Sequence, residues 1–154
     1  MEGPAPEAKR PPDRLRFERR FLSGDHETRV VLAEVCARLA AAGLDEDSIG
    51  TVELVLAEVL NNIAEHAYGV DGGPVALGLD LPGDAVVCEV VDQGRPMPLG
   101  AVPAPGLPLI DPPDHLPEGG FGWHIVRCLV SNLEYQRSAD GNRLHLRVPL
   151  AADP

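Results

Sequence analysis

Apolar residues change their period several times along this chain of 154 residues, and each change predicts an element. In RLRFERRF, Leu15, Phe17 and Phe21 fall at period two, which predicts a strand with a charged outer face. Ser23 or Asp25 is expected to cap a helix whose buried stripe is Val31, Leu32, Val35, Cys36 and Leu39, with Gly43 as its stop. A longer helix is expected from Asp45 or Asp47 to Tyr68, turning Val52, Leu56, Val59, Leu60, Ile63 and Ala67 inward and ending at Gly69. VALGLDL (75–81) and AVVCEVVD (85–92), joined by Pro82, Gly83 and Asp84, predict an antiparallel pair. Half of the 16 prolines then fall between Pro96 and Pro117, and proline extends neither a ladder nor a helix interior, so a long surface loop is expected there. Gly119 to Val130 predicts a glycine-opened helix, and residues 133–137 and 143–150 predict strands around the turn ADGN.

Strand, two helices, two strands, loop, helix, two strands is the order of an α+β fold: an α/β sandwich with a mostly antiparallel sheet and helices packed on one face. A hydrophobic content of 44% over this length suits a single domain, expected at 14–150, between tails at 1–13 and 151–154.

Charge narrows the partners. Thirteen basic and 24 acidic side chains give a net charge of −11, which opposes a nucleic-acid surface, since phosphate binding needs clustered Lys and Arg; Arg14 to Arg20 is the one local exception. Cys36, Cys88 and Cys128 are odd in number and lack CxxC spacing, so they are read as reduced core residues, without disulfide or zinc. MEGPAPEAKRPP has no apolar stretch of the signal-peptide kind and no later run is long enough to span a bilayer, so no membrane partner and a cytoplasmic location are expected.

The candidate chemistry lies in three stretches. In AEVLNNIAEHAY, helical spacing puts Glu58, Asn62, Glu65 and His66 on one face that carries no Lys or Arg, unlike a solvated face of mixed ion pairs. Glu58 and Asn62, at i and i+4, aim a carboxylate and an amide the same way; an amide oxygen suits Mg²⁺, and a carboxylate one turn away suits proton abstraction from a hydroxyl. In VVDQGRP, Asp92 ends an apolar strand and Gly94 follows, so a carboxylate able to accept from an amino group sits beside backbone that a flat ring can approach. In EGGFGWHIVR, glycines open a helix whose free N–H groups and positive dipole end favour an anion.

ExxxN on a helix, two strands ending in DxG, a proline-rich loop and GGxG opening a helix resemble, in that order and over residues 14–150, the GHKL ATPase superfamily, or Bergerat fold. Within it the chain resembles the anti-sigma-factor serine/threonine kinases. The resemblance implies ATP or ADP with Mg²⁺ as ligands, Glu58 as catalytic base and Asn62 as metal and cofactor ligand. It further implies Asp92 and Gly94 at adenine, Gly119, Gly120, Phe121 and Gly122 around the phosphates, and residues 96–118 as an ATP lid. The implied function is phosphorylation of a small STAS-type anti-sigma-factor antagonist and binding of a sigma factor, in a homodimer. Sensor histidine kinases fit less well, because they carry another residue at Glu58 and add a phosphoacceptor domain.

The chain departs from that pattern at three places. Residues 96–118 contain no Lys or Arg, Pro96 replaces a glycine, and Gly141-Asn142-Arg143 stands where the family often has a threonine, whose hydrogen bond Asn142 is expected to replace. The lid without a cation keeps open an alternative, a nucleotide-gated binding module without phosphotransfer; slow hydrolysis without a protein acceptor is a third reading. Arg95 and Arg127 are expected at solvated surface, His66 in structural packing, and Trp123 in the core or lining the nucleotide pocket.

Overall fold

The computed structural model describes residues 15–97, 102 and 120–150. The tails, residues 98–101 and 103–118 of the expected lid, and Gly119 lie outside the described residues. The elements are β1 (Arg16–Leu22), α1 (Asp25–Ala41), α2 (Glu46–Asn62), β2 (Pro74–Asp80), β3 (Ala85–Asp92), α3 (Gly120–Leu129), β4 (Asn132–Ser138) and β5 (Gly141–Pro149).

The strands form one five-stranded sheet in the order β1-β2-β3-β5-β4, antiparallel at every pairing. Alternation along each strand puts Phe17, Leu77, Leu79, Cys88, Val90, Leu144 and Leu146 on the inner face, where they are buried. Val31, Val35 and Leu39 of α1 and Val52, Val55, Leu56, Val59 and Leu60 of α2 pack against them in one core cluster. Each such aliphatic side chain contributes about 1.5–3 kcal/mol by leaving water. The fold is the expected two-layer α+β sandwich.

Local departures have physical causes. Neither Ser23 nor Asp25 caps α1: Gly24 holds the cap position, and the Ser23 hydroxyl instead accepts from Gly73 N–H at 3.0 Å, tying β1 to the start of β2. Arg19, inward by alternation, lies near the edge and escapes burial by pairing with Glu34 of α1 at 3.2 Å. The last hairpin turns on Ala139 and Asp140 alone, so Gly141 and Asn142 already belong to β5. Of the three cysteines only Cys88 is fully buried, and Cys128 is exposed, which corrects its core reading. Burial pushes the Cys88 thiol up to about 12, and burial with the neighbouring Glu53 carboxylate pushes Cys36 up to about 11.

The largest departure is in the second helix. Its α-helical winding stops at Asn62, and Ile63–Tyr68 continues as a π-helical turn, closed by a bond from Gly69 N–H to the carbonyl of Ala64 at 3.1 Å. Such wider turns alter which side chains share a face and concentrate at functional sites.

Candidate active site

Beneath that turn lies a cavity of about 500 Å³, walled by the α2 end and π turn (Asn62, His66), by Asp92 and Arg95 to Met97, by Trp123 of α3, and by Tyr135 and Asn142 of the last hairpin. Its position follows from topology. The chain leaves β3 at Asp92, passes through α3, takes the outer edge as β4 and returns as β5 beside β3, so Asp92 stands directly opposite Asn142.

Asp92 is 5% exposed, and a carboxylate so placed needs partners. Its Oδ1 accepts from the backbone N–H of Gly94 at 2.9 Å and from Asn142 Nδ2 at 2.8 Å. Both bonds fall on one oxygen, which leaves Oδ2 as the acceptor for a ligand in the cavity that Asp92 lines. Gly94 has a steric requirement too: a Cβ there would lie 2.5 Å from the carbonyl oxygen of Ala67, because the chain after β3 presses on the π turn. The same contact carries a hydrogen bond from Arg95 N–H to Ala67 O at 2.8 Å. Tyr68 adds a second tie, accepting from Gln93 N–H at 2.6 Å and donating to Pro74 O at 2.5 Å. Burial, with the Asp92 carboxylate adding to it, raises the Tyr68 phenol above its ordinary value, against the opposing pull of the Gln93 N–H.

On the helical side, Asn62 is buried, lines the cavity and donates Nδ2 to the carbonyl of Glu58 at 2.9 Å. That bond fixes the amide orientation and leaves Oδ1, the atom suited to a hard cation, for another partner. Glu58 does not line the cavity wall but lies against the start of α3: a Cβ on Gly122 would sit 2.6 Å from Glu58 Oε2 and 3.4 Å from Asn62 Nδ2. Gly122 therefore lets the glycine-opened helix seat directly on the ExxxN pair. Gly120 and Phe121 form the first turn of α3, which puts their backbone at this junction.

The geometry thus brings Asp92 and Asn62 to the wall of one cleft, with Glu58 and Gly122 packed against each other beside Asn62 and Gly94 pressed on the π turn. His66 corrects its packing assignment: its side chain is 56% exposed, it lines the cavity, and its nearest charged neighbour is Glu65 at 3.8 Å. Trp123 is both core and cavity wall, at 8% exposure. Arg95 is exposed as expected but also lines the cavity, and Arg127 is half-buried, its guanidinium reaching Val102 O at 3.5 Å. Tyr68, Tyr135 and Arg137 went unnoticed in the sequence. The turn at Ala139-Asp140 was the available signal, since it pairs Arg137 with Asn142 and sets Tyr135 on the inner face.

A two-layer sandwich with an acidic strand end facing an ExxxN helix across a glycine-opened helix defines the class of ATPase domains expected from the motifs. The chain belongs to the family of histidine kinase-like ATPase domains, whose model matches residues 23–148. It is similar to serine-protein kinase RsbW of Bacillus cereus (strain Q1), 28% identical over 108 residues that cover 69% of this chain and 66% of that protein. RsbW of Bacillus anthracis (strain CDC 684 / NRRL 3495) is 27% identical over the same coverage. The chain thus spans just under two thirds of the length of these relatives. Among solved structures it is similar to the RsbU and RsbW domains of Rv1364c from Mycobacterium tuberculosis, with a TM-score of 0.61 and 22% identity over 90% of this chain and 33% of that one. That likeness shows the fold. Among the described residues no helix is long and apolar enough to cross a membrane.

Proposed function

We propose that this chain binds ATP or ADP with Mg²⁺ in the cavity and acts as a serine/threonine protein kinase and anti-sigma factor of a bacterial partner-switching system. Its substrate is a small STAS-type antagonist, and a sigma factor binds when that antagonist is phosphorylated. The observation that carries this reading is the convergence of Asp92 and Asn62 on one cleft while Gly122 seats the glycine-opened helix on Glu58.

The residues present fit the ligands. Asp92 Oδ2 suits the amino group of a base, the cavity accepts a ring of that size between Trp123 and the π turn, and the start of α3 offers backbone N–H groups to phosphate. Asn62 Oδ1 would hold Mg²⁺ together with phosphate oxygens and water; among the described residues no cluster of three or more His, Cys, Asp or Glu competes for it. When bound, the ion neutralises charge on the phosphates. Glu58 orients the acceptor hydroxyl and takes its proton as the new O–P bond forms and ADP departs. Positioning and electrostatics provide most of the acceleration.

Incubation with Mg·ATP and the antagonist from the same host, read by intact mass, tests this: one phosphoryl group gained on an antagonist serine or threonine is expected. Nucleotide binding without transfer would support the second reading, a nucleotide-gated binder, which the absence of Lys and Arg from residues 96–118 favours. Among the described residues β1 pairs on one side only, with β2, which leaves an edge for a second copy, so a homodimer is proposed as well, and a sedimentation run showing only monomer at tens of micromolar would count against it.

A further inference from the structure

The edge strand β4 buries little of itself, yet Tyr135 lines the cavity and the exposed Arg137 reaches the same polar corner from outside. The Tyr135 hydroxyl donates to Asn142 Oδ1 and accepts from Met97 N–H at 2.9 Å. Arg137 Nη1 donates to Gly94 O at 2.7 Å and to Asn142 Oδ1 at 3.2 Å. On its other side, the Asn142 amide nitrogen faces three acceptors: Asp92 Oδ1 at 2.8 Å, Arg95 O at 2.9 Å and Gly94 O at 3.3 Å.

This arrangement is saturated. Two amide hydrogens are committed to acceptors, and both lone pairs of Oδ1 are committed to donors, so Asn142 has no capacity left for a ligand although it lines the cavity. It acts on a ligand only through Asp92. The amide also has one permitted orientation: a flip would turn its oxygen toward a carboxylate and two carbonyls, and its NH₂ toward a guanidinium, which has donors only. A tyrosine hydroxyl alone would tolerate the flip, because it can accept as well as donate; Arg137 cannot.

We propose that Tyr135 and Arg137 are positioning residues of the nucleotide site: together they lock Asn142, which fixes the Asp92 carboxylate with Oδ2 toward the ligand, and they peg residues 94–97 against the last hairpin. The inference rests on the nucleotide reading above. It makes docking of an edge strand a condition for base recognition, because the carboxylate that reads the base is oriented from β4 by way of β5. The peg ends at Met97, at the entry to the expected lid, so lid entry and base recognition share one support.

Tyr135→Phe keeps the ring in the cavity wall and removes only the hydroxyl. Arg137→Ala removes one of the two donors to Asn142 Oδ1 and the tie to the Gly94 carbonyl. Loss of a hydrogen bond that leaves buried partners unsatisfied is expected to weaken ADP binding about tenfold in each variant, measured by calorimetry. A merely structural role would also lower the melting temperature, so the deciding readout is the preference for ADP over inosine diphosphate, whose base presents an oxygen where adenine presents an amino group. That preference should shrink severalfold in both variants. Amide hydrogen exchange at Met97 in the nucleotide-free protein gives a second measure: protection in the wild type should be lost in Tyr135→Phe. Unchanged base preference in both variants overturns the positioning role. Unchanged Met97 protection in Tyr135→Phe overturns the peg. A wild type that binds neither nucleotide overturns the nucleotide reading and the ligand half of this inference, while Met97 exchange still decides whether the peg exists.

Discussion

The two ends of the cavity are built differently. At the hairpin end, Asp92 accepts from the Gly94 N–H just after β3 and from Asn142 of β5, and each donor and acceptor of the Asn142 amide is taken, two of them by β4 side chains. At the helix end, the Asn62 amide bonds only the backbone carbonyl of Glu58, and placement of the Glu58 carboxylate comes from helical winding and the close seat of Gly122. The difference fits the tasks proposed for them. A group that reads a base must present one atom in one direction, whereas a group that meets an incoming hydroxyl must adjust when the partner arrives. Hydrogen-bond networks do the first in a low dielectric; a side chain backed by a glycine can do the second.

The largest effect is expected from the helix end, in catalysis alone. Glu58→Gln keeps shape and reach but cannot take a proton, so phosphotransfer to the antagonist should fall about 10²–10⁴-fold while nucleotide affinity hardly changes. Transfer at the wild-type rate would remove Glu58 from the base role. Asp92→Asn attacks the other end: an amide nitrogen replaces one carboxylate oxygen, and most of the stabilisation by ADP should vanish. In the wild type that stabilisation is about 2.7 kcal/mol at ligand concentrations ~100-fold above the dissociation constant, and it is read as a shift in melting temperature. A variant that retained the full shift would show that Asp92 does not read the base.

Two glycines sharpen the comparison. A Cβ at Gly94 meets backbone atoms of Ala67, which cannot yield cheaply, so Gly94→Ala should cost about 1–3 kcal/mol of stability in denaturant unfolding. At Gly122 the nearest atom is the tip of the Glu58 side chain, which can swing aside. Gly122→Ala should therefore change stability by less than about 1 kcal/mol, a helical alanine offsetting part of the strain, while phosphotransfer drops because Glu58 has been displaced. Equal losses of stability in the two variants would contradict the idea that one wall is rigid and the other adjustable.

Much of this was legible in the chain because it is encoded locally. Apolar runs in VALGLDL and AVVCEVVD, period 3.6 through Val52, Leu56 and Val59, and the turn residues between runs predicted the strands and the helices and the buried stripe of each helix. Glu58, Asn62, Asp92 and the glycines could be picked out because each motif is a few residues long and its chemistry is carried by neighbours in sequence. What only the tertiary structure decided depends on residues far apart. The π turn at Ile63–Tyr68 does not follow from helical periodicity, and it is tied in place by Arg95 and the close approach of Gly94, both contributed from beyond β3. The meeting of Tyr135, Arg137, Asn142 and Asp92 depends on β5 returning between β3 and β4, a pairing order set by burial of whole faces. A hydrogen bond between residues some forty positions apart leaves no trace in local spacing, because its partners become neighbours only after the sheet has closed.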